Sequence, residues 1–281
     1  YTIIDNRYKR NLTTRAKLLA GMNITESRLP QDGAIKSVIE GKDLDLRVSA
    51  LPTSFGEKIV IRILDYSMSL QGIEHLGFTE ENFKIITELL NNPNGIILIT
   101  GATGSGKSTT VYSMLQKLNK EESNIITVED PVEMSIEGLN QVQVNSEIGL
   151  DFATVLRSIL RQDPNIILIG EIRDTETAKI AVRASITGHL VLSTLHTNNS
   201  LTTIERLIDM GVERYLLSSS LKGIISQTLA KRLCPNCRIQ RLANETEKIL
   251  FKKALGIDIE TIYEAGRCEH CHNGYTGRIA L

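Results

Sequence analysis

A glycine-rich run, Gly101-Ala-Thr-Gly-Ser-Gly-Lys107-Ser108-Thr109, carries the most specific chemistry in the chain. Its glycines let the backbone curl and turn N–H groups inward, where a Cβ would obstruct the curl. Those N–H groups, with the positive end of a following helix, hold phosphate oxygens. Lys107 supplies a point charge for β- and γ-phosphates, and the Ser108 hydroxyl suits Mg²⁺. Gly101, Thr103, Gly104, Ser105, Gly106, Lys107, Ser108 and Thr109 are therefore candidate nucleotide-binding residues. A ligand-free glycine turn is the bland alternative. The apolar run at 95–100 and the helical pattern over 107–119 argue for a P-loop instead.

Three further groups are expected at the same edge. Strands are read over 124–130, 165–171 and 188–196, ending in Glu129/Asp130, Glu171 and His196. In open parallel α/β sheets, ligands sit outside the carboxyl ends of the strands. Polar groups crowded there are costly unless a ligand such as Mg²⁺-triphosphate satisfies them. Phosphoryl transfer needs charge neutralisation and a positioned water. Glu171 is favoured for the catalytic role and as a Mg²⁺ contact, with Glu129 supporting the metal or water. His196 is placed to sense the γ-phosphate, whereas His189, at the other end of its strand, reads as structural.

Cys234-Pro-Asn-Cys237 and Cys268-Glu-His-Cys271 repeat one Cys-x₂-Cys spacing. Four thiolates so spaced enclose one tetrahedral Zn²⁺ and leave no open position, so the expected site is structural. Four free thiols are the alternative. His270 and His272 flank a ligand and read as spectators.

The elements that must position these groups follow a strand–helix alternation. Helices are expected over 81–90 (capped by Thr79), 151–161, 175–187, 199–210 and 213–231, giving an α/β fold with a parallel sheet covered on both faces. Residues 91–95 break the first of them. Ahead of this lies a small unit: a helix over 13–27, a turn over 28–33, and strands over 43–49 and 57–64 joined by a loop over 51–56. Arg47 and Arg62 fall on the polar faces of these strands, where solvated arginines are the ordinary expectation. Residues 67–78 read as a linker. A helix and loop separate the two cysteine pairs.

The formal net charge of −1 gives no electrostatic reason to expect nucleic acid. No apolar run is long enough to span a bilayer, and none reads as a signal peptide. Paired cysteines fit a reducing compartment. The start at Tyr1 and the stop at Leu281 read as those of a fragment, which leaves room for targeting information outside it.

Four motifs recur in order: the glycine run, Thr127-Val-Glu-Asp-Pro-Val-Glu133, Ile169-Gly-Glu-Ile-Arg-Asp174, and Thr187-Gly-His-Leu-Val-Leu-Ser-Thr-Leu-His-Thr-Asn198. They resemble the Walker A, aspartate box, Walker B and histidine box of the secretion ATPase superfamily. The segments 28–33 and 45–53 also resemble the domain that precedes the motor there. The resemblance implies a RecA-like P-loop core, a small α+β (PAS-like) N-terminal domain, and a ring of six subunits with ATP between the two domains. It raises Arg47 and Arg62 to expected phosphate contacts. It gives a partial N-terminal domain at 1–66, a linker at 67–78, an ATPase domain at 79–231, and a tetracysteine module with a truncated C-terminal region at 232–281. The first hairpin of the N-terminal domain is missing on this reading. Gly170 stands where a Walker B aspartate is usual elsewhere, and Asn165 where many members carry Asp.

The cysteine module makes the chain most similar to type IV pilus assembly and type II secretion ATPases. The implied protein is a cytoplasmic, hexameric ATPase using ATP, Mg²⁺ and Zn²⁺. It would act on an inner-membrane platform protein, reach the membrane only through partners, and bind no nucleic acid directly. The alternatives are a P-loop nucleic-acid translocase and a pilus retraction or conjugation-type ATPase.

Overall fold

The computed structural model describes residues 2–39, 42–65 and 72–281. The chain divides into two compact units, Tyr1–Gln71 and Gly72–Leu281. In the first, α1 (Lys9–Leu19) accompanies an antiparallel sheet of β1 (Gln31–Ile39), β2 (Lys42–Thr53) and β3 (Gly56–Asp65), in that order. Alternation along β2 sends Val48 and Ala50 inward against Ala20, Met22, Ile35 and Ile59. Lys17 is 1% exposed, and its ammonium donates to Glu57 Oε1 at 2.6 Å and the Glu26 carbonyl at 2.5 Å. A charge so buried needs such partners.

Three expectations change in this unit. The helix expected over 13–27 begins at Lys9 and stops at Leu19, because Gly21 turns the chain at φ 71°. The turn expected over 28–33 gives way to β1 at Gln31. The inward positions of that strand are Gln31, Gly33, Ile35 and Ser37, so apolar alternation is not legible in it. The loop expected over 51–56 shrinks to a two-residue turn, since Thr53 already pairs with Gly56. Part of the expected linker, 67–71, lies outside the described residues. Ile73 beyond it is buried in the core of the second unit.

The second unit is organised by β4 (Gly95–Thr100), β5 (Ile125–Glu129), β6 (Asn140–Gln143), β7 (Ile166–Ile169), β8 (Leu190–Leu195) and β9 (Leu221–Ser226). They form a parallel sheet in the order β6-β5-β7-β8-β4-β9. Strands β4, β5, β7 and β8 are buried at every residue, as strands covered on both faces must be. Ile97 and Ile99 pack with α2 (Glu80–Leu90) and α3 (Lys107–Leu118). Ile96 and Leu98 face the other layer, made by α4 (Phe152–Ile159), α5 (Thr175–Ile186), α6 (Ser200–Asp209) and α7 (Arg214–Ser220). Thr79, Asp151, Asp174 and Asn199 each cap a helix by accepting an N–H three residues on. Each such cap contributes about 1 kcal/mol and fixes where its helix starts.

The helix expected over 213–231 is the largest correction. α7 ends at Ser220, and the chain continues as β9 beside β4, then as β10 (Leu229–Leu233). A Cβ on Gly223 would stand 2.6 Å from Leu89 Cδ1, so β9 and α2 approach closely at this glycine. The β-branched pair Ile224-Ile225 then favours strand over helix. Strand β6 goes unforeseen because its sequence, Asn-Gln-Val-Gln, is polar and it lies at the sheet edge. Beyond β10, the hairpin of β11 (Ile239–Leu242) and β12 (Thr261–Glu264) flanks α8 (Glu245–Leu255), and β13 (Tyr275–Ala280) returns to pair with β10. No described helix is long and apolar enough to cross a membrane.

Candidate functional site

Strand β4 runs into the glycine turn, and Gly106 starts α3 at φ 85°. A side chain on Gly106 would meet Gln227 Nε2 at 2.8 Å and Leu229 Cδ2 at 3.4 Å, so conformation and space both require glycine. Lys107 is 8% exposed, and its ammonium donates to the Gly101 carbonyl at 2.8 Å and the Ala102 carbonyl at 3.1 Å. Burial lowers its pKa, with the nearby Glu171 charge opposing. The Ser105 hydroxyl is buried without a hydrogen-bond partner among the described residues. A buried cation held, among the described residues, only by carbonyls, beside an orphaned hydroxyl, fits an incoming phosphate. The residues present therefore suit a Mg²⁺-nucleotide.

The carboxylates arrive from the neighbouring strands. Thr103, Gly104, Gly106, Lys107, Ser108 and Thr109 share one cavity of about 490 Å³ with Glu129, Glu171 and His196. Glu129 is 4% exposed; the Tyr112 hydroxyl donates to one oxygen, and Thr127 Oγ1 at 2.6 Å and Gln141 Nε2 at 3.3 Å donate to the other. Tyr112 lies on α3, so the phosphate helix and β5 are tied together at this carboxylate. Burial foremost, then the Glu129 charge, raises the pKa of that phenol. Glu171 accepts from the Arg173 guanidinium and lies 3.4 Å from His196 Nε2. Arg173 also reaches Asp130 at 3.1 Å, so one side chain bridges the loops after β5 and β7. A Cβ on Gly170, where a Walker B aspartate is usual elsewhere, would stand 3.3 Å from Glu129 Cα and from the Val128 carbonyl oxygen, a tight approach. His189 lies at the far end of β8, its Nδ1 2.9 Å from the Ala184 carbonyl.

Hydroxyl and amide links extend from the loop. Thr100 Oγ1 donates to the Thr197 carbonyl at 2.6 Å, and Thr197 Oγ1 meets Thr203 Oγ1 of α6 at 2.6 Å. The chain just after His196 is thereby joined to both β4 and α6. On the other flank, the Gln227 side chain bonds Ser105 O and Thr110 Oγ1, both at 2.7 Å. In the first unit, Arg47 and Arg62 stand directly opposite each other across β2 and β3. Like charges directly opposite one another across two strands are unfavourable.

The four cysteine sulfurs all lie within 4.8 Å of one another. Cys234–Cys268, Cys237–Cys271 and Cys268–Cys271 are separated by 3.8, 3.6 and 3.5 Å. Sulfurs about 2.3 Å from a central zinc would stand about 3.8 Å apart at tetrahedral vertices, so the donor set fits Zn²⁺. Burial first, then neighbouring thiols, pushes Cys237 up to about 12. A divalent cation reverses that balance by binding thiolates. Neither His270 nor His272 belongs to the cluster.

The profile of the family described as "Type II/IV secretion system protein" matches residues 4–281. The chain belongs to this secretion family. Type II secretion system protein E of Aeromonas hydrophila is 49% identical over 271 residues, covering 96% of this chain and 54% of that protein. The type IV pilus assembly ATPase PilB of Myxococcus xanthus is 50% identical over 275 residues, covering 96% and 48%. The chain thus spans about half the length of the curated relatives it matches. Among solved structures, the pilus retraction motor PilT with bound ADP superposes with a TM-score of 0.63 at 32% identity, covering 83% of this chain and 64% of that one.

Within this family framework, sequence reasoning missed Tyr112, Arg173, Gln227, Leu229 and Arg278. Arg173 lies inside the Ile169–Asp174 motif, close to Glu171, and that charge pair is the available signal. Tyr112 falls within the helical pattern over 107–119, where a single phenol carries no spacing signal. Gln227 and Leu229 were obscured by the helix expected over 213–231.

Proposed function

We propose that this chain is the motor portion of a hexameric ATPase that powers type IV pilus assembly or extension of a type II secretion pseudopilus. The observation that carries the reading is the single cavity shared by Lys107, Ser108, Glu129, Glu171 and His196. Lys107 and the loop N–H groups would hold the phosphates, and Ser108 and Glu171 would hold Mg²⁺, which would supply charge neutralisation for the transferred phosphoryl group. Glu171 would orient the attacking water and take its proton, while Glu129, locked by three donors, would support the metal or water. His196 reads the γ-phosphate, and the Thr197–Thr203 contact passes that state to α6. Arg47 and Arg62 add charge stabilisation from the first unit. Arg62→Ala is expected to lower hydrolysis while leaving the fold intact by circular dichroism. The segments 1–66, 67–78, 79–231 and 232–281 act as N-terminal domain, linker, motor and zinc module.

The partners in this reading are five further copies of the chain and a membrane-embedded platform protein. The motor itself is cytoplasmic and peripheral to the inner membrane. A retraction motor is the secondary reading, favoured by the PilT superposition. The test is calorimetric binding of MgATP. Lys107→Ala is expected to abolish it, and unchanged affinity would refute the phosphate cradle.

A further inference from the structure

We infer that Tyr112 is a positioning residue for hydrolysis, its hydroxyl holding Glu129 in register with the phosphate helix. The inference rests on the nucleotide reading above. Tyr112 and Ser108 both lie on α3. Residues four apart on a helix share a face, so the phenol stands one turn beyond the Ser108 hydroxyl. Both residues line the cavity that Glu129 also lines.

A buried tyrosine ordinarily finds a partner for its hydroxyl and is then no more than core. This hydroxyl has more. Its O–H donates to a Glu129 oxygen, and its own oxygen accepts from the Glu133 N–H at 3.0 Å and the Met134 N–H at 3.4 Å. One donor and two lone pairs are thereby all committed. Carboxylate, the segment after β5 and the phosphate helix meet at one atom.

The other two donors to Glu129 give no register against α3. Thr127 sits two residues back on the same strand and face, so it moves with Glu129. Gln141 comes from β6, on the outer side of β5, and reaches the oxygen that Thr127 already holds. Tyr112 is the donor that comes from α3, and it takes the other oxygen. A carboxylate has about four acceptor sites, two on each oxygen. With Thr127 and Gln141 on one oxygen, the phenol fixes where the remaining site on the other points.

Tyr112→Phe in the full chain removes the hydroxyl and keeps the ring. Amide exchange should show lost protection at Glu133 and Met134, whose N–H groups lose their acceptor. The kcat for MgATP is expected to fall about 10-fold, the effect of losing one hydrogen bond to a charged group. KM and the calorimetric affinity for MgATP should stay within about 2-fold, since the groups expected to hold the phosphates are untouched. Glu129→Gln separates positioning from packing: with the carboxylate gone, adding Tyr112→Phe should cost no further turnover. Unchanged kcat or unchanged amide protection in Tyr112→Phe overturns the inference. So does a loss that persists in full in the Glu129→Gln background, or one that falls on KM instead. A wild-type chain that neither binds nor turns over MgATP, or a Glu129→Gln chain with normal turnover, would instead sink the reading on which the inference rests.

Discussion

Gln227 Oε1 accepts a hydrogen bond from Thr110 Oγ1 at 2.7 Å, joining residues 117 positions apart in the chain. The same side chain donates to Ser105 O, and its backbone N–H donates to Thr100 O at 2.8 Å. One residue at the end of β9 therefore fastens the phosphate loop on three sides. Gln227→Ala leaves the Thr110 hydroxyl and the Ser105 carbonyl buried without this partner. The expected loss is about 1–3 kcal/mol for each unsatisfied group. Thermal unfolding reads it, and an unshifted midpoint would contradict the clamp.

Glu171→Gln keeps the shape of the side chain but removes its capacity to take a proton. Turnover should fall by about 10²–10⁴-fold while ATP affinity holds. Single-turnover hydrolysis separates the two effects. Survival of turnover would transfer the water-activating role to Glu129.

Metal analysis of the purified chain should return about one zinc per chain, given four sulfurs and no open position. Chelation, or Cys234→Ser, should lower the unfolding temperature and loosen the β10–β13 ribbon, because the cysteine pairs lie between its two strands. A metal-free chain that melts where the zinc form does would exclude a structural role.

Acid should unravel α8 in a defined window. Glu247 closes its capping box, accepting the Asn244 N–H at 2.8 Å and pairing with Arg241 at 2.7 Å. The Arg241 guanidinium foremost, then the Asn244 N–H, holds its carboxyl down to about 2, against an ordinary 4.5. A carboxyl depressed on folding stabilises fully above its unfolded pKa and loses that contribution as pH falls through the folded one. Protection of the α8 amides, taken relative to their intrinsic exchange rates, should therefore fall between pH 4.5 and about 2. Glu247→Gln should abolish that step, while acid loss of zinc remains common to both proteins.

Legibility in the sequence followed burial pattern and motif density. The runs that became β4, β5, β7 and β8 were readable because a strand covered on both faces must be apolar throughout. The caps at Thr79, Asp151, Asp174 and Asn199 sit at the starts of amphipathic segments, where side chain and local backbone decide the outcome. β1 escaped because Gln31, Gly33 and Ser37, three of its four inward positions, are polar or glycine, and β6 because it is short, mostly polar and at the sheet edge. The stretch 213–231 misled because its apolar spacing matches a helix, and only pairing with β4 makes Gly223 a strand residue.

What the chain declared by itself was local chemistry: a phosphate-binding turn, two cysteine pairs at zinc spacing, and acidic or imidazole groups closing successive strands. Those properties depend on residue type and short spacing, which a linear string preserves. Folding alone decided who meets whom: Tyr112 with Glu129, Arg173 across to Asp130, Gln227 under the loop, and Arg278 at the cavity mouth. Each of these contacts joins segments brought together by sheet order, and sheet order is set by how buried faces pack, which no short stretch records.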